Sequence, residues 1–349
     1  MLFSCFRAAH ADVGLIVETP TGLLGFLSDV GHVSVWISNG CLSPTGEVYF
    51  CQNSQGIVLS STAYWPNPGA AAIPAEMFFL GARPGKAGRS KVAWNESLAK
   101  AYPNVDPGLG SKYLGRTWRR GMRVLTFQTT PEKDHQVLDQ IEQQRRAYHY
   151  SYSHRNCAYY AEQVLRLYLG NGFHAGTVLD FGVETPRGLE RTLRHHLEMD
   201  PGSEFRTVRF PGSMLHAWRQ PPRNICESAI FDPKYAIPLV IYQPYLYVGF
   251  GVCYGVGRFM EHVPHARAAG MEARISAESE AMVHDPRVAA FESLTGPLPE
   301  ESPWKTRKND IFLNGLNVPD GLNVPGGRAG VQSLPAAEQP LAEPLGQQQ

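Results

Sequence analysis

Apolar and polar residues alternate through GHVSVWI, placing Val33, Val35 and Ile37 on one face of an extended chain and His32, Ser34 and Trp36 on the other. Asn39-Gly40 then supplies a turn, and EVYF and GIVLSS follow as further strands, so 23–61 reads as β structure. From 62 to 115 the pattern weakens into Pro/Gly-rich loops around AEMFFLGA, which reads as a strand, and MRVLTFQ at 122–128 is a further strand. The period then changes. Val137, Leu138, Ile141 and Tyr148 recur at helical spacing behind Thr130 as cap and Pro131 at the first position. A second helix opens near Asn156, with Ala158, Ala161, Leu165 and Tyr168 on its apolar side and Gly170-Asn171-Gly172 as its stop. A third starts at Thr185-Pro186 and carries Leu189, Leu193 and Leu197 to Asp200-Pro201-Gly202. Strands first and helices later, without βαβ alternation, predict an α+β fold over residues 12–215.

Downstream, 235–257 contains no charged residue, a length that suits a transmembrane segment of ~20 apolar residues. Two prolines and Gln243 leave open a pair of buried strands instead. Arg258, Arg267 and Arg274 follow, and that bias places the C-terminal side in the cytoplasm. Residues 258–297 read as a surface helix. The stretch 298–349, rich in Gly, Pro, Gln and Ala with the duplication GLNVPDGLNVPGG, reads as a disordered tail.

Lys+Arg and Asp+Glu both number 32 in the 349 residues, and this balance argues against a nucleic-acid partner. Six cysteines without a CxxC exclude both a disulfide scaffold and the usual zinc spacing. Cys41 and Cys51 flank LSPTGEVYF; they are either a disulfide closing a short hairpin, worth ~2–3 kcal/mol, or two small semi-buried residues. Residues 1–11 end in Ala9-His10-Ala11, which fits the cleavage site of a clipped signal peptide.

The chemistry concentrates on SYSHRNCAYYAEQVL. Cys157 follows Asn156 at a helix start, where the macrodipole favours thiolate and free N–H groups can hold an oxyanion. His32 is the candidate base and acid, with His154 as its rival, while His149, His195 and His196 read as helix-surface groups. Asn156 either caps the helix or lends its amide to the oxyanion. A group orienting His32 is expected from the neighbouring strand, where Gln52, Asn53, Gln55, Ser60 and Ser61 are available. A depressed thiol pKa would show as rapid alkylation of Cys157 but not of Cys226. No metal or organic cofactor is called for.

A histidine-bearing strand followed by NCAYYAEQVL opening a helix resembles the circularly permuted papain-like superfamily. There the histidine precedes the cysteine, and the NCEHF motif of lecithin:retinol acyltransferase-like enzymes is similar to Asn156-Cys157-Ala158-Tyr159-Tyr160. The order of a GH-containing strand, a cysteine-flanked turn, a GAVIS-like strand (GIVLSS here) and an NC-helix is most similar to the Lnb-type N-terminal periplasmic domain of bacteria. The likeness spans about residues 25–170. It implies an antiparallel sheet with a nucleophile-bearing helix, and a thiol-dependent hydrolase or acyltransferase in which Cys157 attacks an ester or amide carbonyl and His32 moves the proton. Its substrates would be a lipid ester, a lipoprotein acyl chain or a peptidoglycan-type peptide; the 235–257 segment, which lies outside the likeness, would anchor the catalytic domain in the inner membrane, facing the periplasm. An inactive, membrane-tethered binding module that retains the fold is the alternative. The second histidine of the retinol-type enzymes is missing, because no histidine lies between His32 and His135.

Overall fold

A computed structural model describes residues 11–20, 31–43, 45–52, 54–62, 69–81, 113–118, 120–151, 154–177, 180, 182–200, 202–211, 223, 225–261 and 286–296. All belong to one unit, Met1–Thr306; the other, Arg307–Gln349, lies outside the described residues. The expected signal peptide (but for Ala11) and the tail at 298–349 also fall outside them.

The expected α+β class is present. Six strands form one antiparallel sheet in the order β6-β5-β2-β1-β7-β8: Gly69–Pro74, Ile57–Thr62, His32–Ile37, Ala11–Glu18, Met122–Thr129 and Phe205–Phe210. A separate hairpin, β3 (Gly40–Leu42) with β4 (Val48–Phe50), is closed by a disulfide between Cys41 and Cys51. One face of the sheet is covered by helices α2 (Pro131–Ala147), α3 (Cys157–Leu169) and α4 (Pro186–Met199), which bury Leu138, Leu165 and Leu193 against Val13, Leu15, Val35 and Leu125. The opposite face carries α1 (Ala75–Leu80), a 3-10 turn at Arg116–Trp118 and α8 (Pro286–Thr295), which bury Phe78, Phe79 and Phe291 with Trp36, Ile16 and Val58. This double cover explains why the alternation in β2 is not an inside-outside pattern: Trp36 is as buried as Val35.

Local chemistry sets the helix boundaries. Thr130 and Thr185 accept hydrogen bonds from the N–H groups of Lys133 and Gly188, with Pro131 and Pro186 at the first helical positions. Gly170 ends α3 at φ 92°, a conformation that costs a glycine nothing.

Several expectations are corrected. AEMFFLGA is mostly helix rather than strand, because Pro74 starts a turn whose Met77, Phe78, Phe79 and Leu80 are all buried. Residues 235–257 are not one continuous span: they fall in α6 (Pro233–Tyr242) and α7 (Pro244–Glu261), broken at Gln243-Pro244 because Pro244 has no N–H to continue the ladder. No helix among the described residues is long and apolar enough to cross a membrane. In the expected surface helix at 258–297, residues 262–285 lie outside the described residues; Pro286–Thr295 is partly core, with the Phe291 ring tilted against that of Phe79 at 5.6 Å, so the domain draws on chain beyond 215. Cys226, on α5 (Ile225–Phe231), is bonded to Cys253 of α7 and is not a thiol for comparison with Cys157.

Candidate active site

The sheet brings Cys157 and His32 to one short piece of backbone. Pairing between β2 and β5 covers Val35–Ile37 only, although β2 begins at His32 and β5 continues to Thr62. At this opening the first residue of α3 packs against β2, and the N–H of Val33 faces the Cys157 sulfur closely enough to lower its pKa. The sulfur belongs to the cluster of Val33, Val35 and Ile37. The His32 ring shares the other face with Ser34 and Ser60: its Nε2 lies 2.8 Å from Ser60 Oγ, which in turn accepts from Ser34 Oγ at 3.0 Å. Nucleophile and imidazole therefore flank the His32–Val33 peptide from the two faces of the strand.

Of the groups offered as orienting His32, Ser60 makes the contact. Gln52 does not: it is exposed in the turn after β4, away from the strand that pairs with β2. Asn156 is a cap rather than an oxyanion donor. Its Oδ1 accepts from the N–H groups of Ala158 and Tyr159 at 2.9 and 3.0 Å, and its Nδ2 donates to the Glu184 carbonyl at 2.9 Å. Tyr148 braces the same turn, its hydroxyl 3.0 Å from the Asn156 carbonyl. His154 is exposed in the turn before the helix.

Electrostatics reverse the expected ionisation of the thiol. Cys157 keeps 9% of its surface exposed, and burial pushes its pKa up to about 11. The N–H groups of Val33, Ala158 and Cys157 itself pull in the other direction, and the nearby Glu18 carboxylate adds repulsion. Desolvation outweighs a helix-end partial charge here, because the dipole acts through a few donors while burial removes the whole hydration shell. His32 moves oppositely: burial lowers it to about 4, attraction to Glu18 offsets part of this, and Arg116 and Arg120 lower it further. At neutral pH the resting site holds a neutral thiol and a neutral imidazole.

The cluster behind His32 is assembled from residues far apart in sequence. Glu18 is the register partner of His32 on β1 and is fully buried. It pairs with Arg116, and with Arg120 at 3.4 Å, while its Oε1 has no partner among the described residues. Burial raises the Glu18 pKa, but the two guanidinium groups and His32 outweigh it and hold the carboxyl below its usual range. Tyr113 adds a ring 6.1 Å from that of His32 and donates its hydroxyl to the Ser61 carbonyl. One signal was present: a lone carboxylate closing the apolar run VGLIVE, where a buried charge requires a partner.

Compared with family models, with curated proteins and with solved structures, the chain matches none.

Proposed function

We propose that the protein is a thiol-dependent hydrolase or acyltransferase that works through a thioacyl intermediate on Cys157. The observation that carries this reading is the Cys157 sulfur at the start of α3 facing the Val33 N–H, one residue along β2 from His32, whose Nε2 is held by Ser60. Ser60 already accepts from Ser34, and its second lone pair suits an Nε2–H donor. That tautomer leaves the lone pair on Nδ1, the ring nitrogen nearer the His32–Val33 peptide. Attack on an ester or amide carbonyl forms the C–S bond as the thiol proton leaves for Nδ1, which the His32 ring must swing past the edge of β2 to present. The leaving alcohol or amine then takes that proton, and water or an acceptor hydroxyl or amine resolves the thioester. Because thiol and imidazole rest neutral, ionisation accompanies attack instead of preceding it. The N–H groups of Val33 and Cys157 are donors for the developing oxyanion.

Acyl chains of lipids or lipoproteins are the favoured substrates, with peptidoglycan-type amides second, and two disulfides suit an oxidising compartment such as the envelope expected from the sequence. One observation favours the second reading, an inactive binding module: sulfur and ring lie on opposite faces of β2, each in a desolvated setting that stabilises its neutral form. Incubation with long-chain nitrophenyl esters, followed by intact-mass spectrometry, separates the two. An enzyme gains one hydroxylamine-labile acyl group on Cys157, lost in Cys157→Ala and slowed in His32→Gln. The enzyme reading fails if the protein takes up no acyl group, or if Cys157→Ala acylates as the wild type does.

A further inference from the structure

We infer that the pair of helices α6 and α7 seats in one leaflet of a lipid bilayer without crossing it. The inference stands apart from the proposed catalysis. In α6 no residue is buried, and Ile237, Ile241 and Tyr242 project at different angles around a helix that turns 100° per residue. In α7, Tyr245, Val248 and Val252 are turned outward at 90%, 63% and 62% exposure, while Tyr254 packs inward with its ring 4.8 Å from that of Phe231. Water is a poor solvent for such a surface, and from 235 to 257 no charged side chain breaks it.

The occupant is lipid for three reasons. A protein partner covers a single stripe of a helix, whereas the exposed Val240, Ile237, Ile241 and Tyr242 spread over about 200° of α6 at 100° per residue, wider than such a stripe. Backbone groups are paired at the break between the helices, although Pro238 inside α6 gives up one ladder bond. There the Gln243 N–H donates to the Leu239 carbonyl at 2.9 Å, and the Gln243 carbonyl accepts from Leu246 and Tyr247 at 3.0 and 3.2 Å. The dimensions set the orientation: α6, with ten residues, is about 15 Å long, half of a hydrocarbon core about 30 Å thick, while α7, with 18 residues and about 27 Å, exceeds that depth and lies along the leaflet instead of upright in it. The Cys226–Cys253 disulfide ties α7 to α5, and the Ile225 N–H donates to Asp180 Oδ1 at 3.0 Å, so the seat is anchored to the domain that carries Cys157.

Flotation of the full chain with phosphatidylcholine vesicles tests this. Because the surface has no charge to screen, the protein is expected to rise with the vesicles equally well in low and high salt. The double substitution Ile241→Asp with Val248→Asp is expected to reduce the vesicle-bound share by about tenfold or more, since carboxylates enter hydrocarbon at great cost. Tyr242→Ser with Tyr245→Ser, at solvent-facing positions, should weaken it in the same direction, and Met199→Asp on α4 should leave it unchanged. A chain that stays with the aqueous phase, or an Ile241/Val248 variant that floats like the wild type, overturns the inference. So does a wild type that sediments as a dimer indifferent to vesicles while the double variant is monomeric, because the face then belongs to a second copy.

Discussion

Replacing His32 by glutamine should change how stability depends on pH, and the sign follows from two opposed groups. His32 ionises near 4 in the folded protein against 6.5 unfolded, so below 6.5 the unfolded chain takes up a proton that the native state refuses. Its contribution is complete above 6.5 and is lost as pH falls toward 4. Glu184 behaves in the opposite way. Burial and repulsion from Glu162 raise it to about 7 from 4.5, so the native state holds a proton there, and stability is lost as pH rises between those values. Each shift corresponds to about 3 kcal/mol over its full window, and the two nearly cancel in the wild type. Asp134 and Asp180, both raised by burial, act in the direction of Glu184 at the acidic end. Because these groups are common to both proteins, the difference between His32→Gln and wild type reports the histidine together with the Glu18 carboxylate coupled to it. From about pH 7 to about pH 4.5 that difference should move by about 2 kcal/mol in favour of the variant. Glu184→Gln should move by a similar amount in the other direction. Urea denaturation followed by tryptophan fluorescence, with Trp36 buried beside the site, reads both. Parallel stability curves for wild type and His32→Gln would refute the desolvated, neutral imidazole.

Asn156→Ala removes the cap of α3 and its tie to Glu184, and should cost about 1–2 kcal/mol in denaturant unfolding. Cys41→Ser with Cys51→Ser opens the β3–β4 hairpin and should lower stability by about 2–3 kcal/mol, with the sheet's circular-dichroism signal retained. Iodoacetamide should modify native Cys157 at least about a hundredfold more slowly than the same residue in the unfolded chain near neutral pH, since a pKa of about 11 against 9 leaves far less thiolate. Modification at the unfolded rate would show an ionised or open site. Ser60→Ala frees Nε2 of His32 and, if the proposed chemistry holds, should slow Cys157 acylation by about tenfold without altering the melting temperature by more than a few degrees.

The residues that had local reasons for their conformation were readable. Thr130-Pro131 and Thr185-Pro186 announce helix starts whatever lies around them, and NCAYY shows a capped helix whose first residue is a cysteine. Strand β1 was missed because DVGLIVE is covered on both faces in the middle of the sheet, so it reads as an apolar run without alternation. AEMFFL misled for the same reason, since a short buried helix and a short buried strand share one composition. Ser60 stood among five polar candidates and was singled out only by the register that sets it beside Ser34.

What the chain determined alone was therefore local: caps, turns, periodicity, and the presence of a thiol at a helix start. Tertiary structure decided the rest. It set which strand end the thiol meets, which hydroxyl holds the imidazole, and that a buried carboxylate with two arginines stands behind it. It also decided the charge states. A helix dipole can be inferred from neighbouring residues, but desolvation depends on everything packed around an atom, and those residues lie far apart in sequence. For Cys157 the packing prevailed, so a sulfur that the sequence describes as ready to ionise is held in the fold as a thiol.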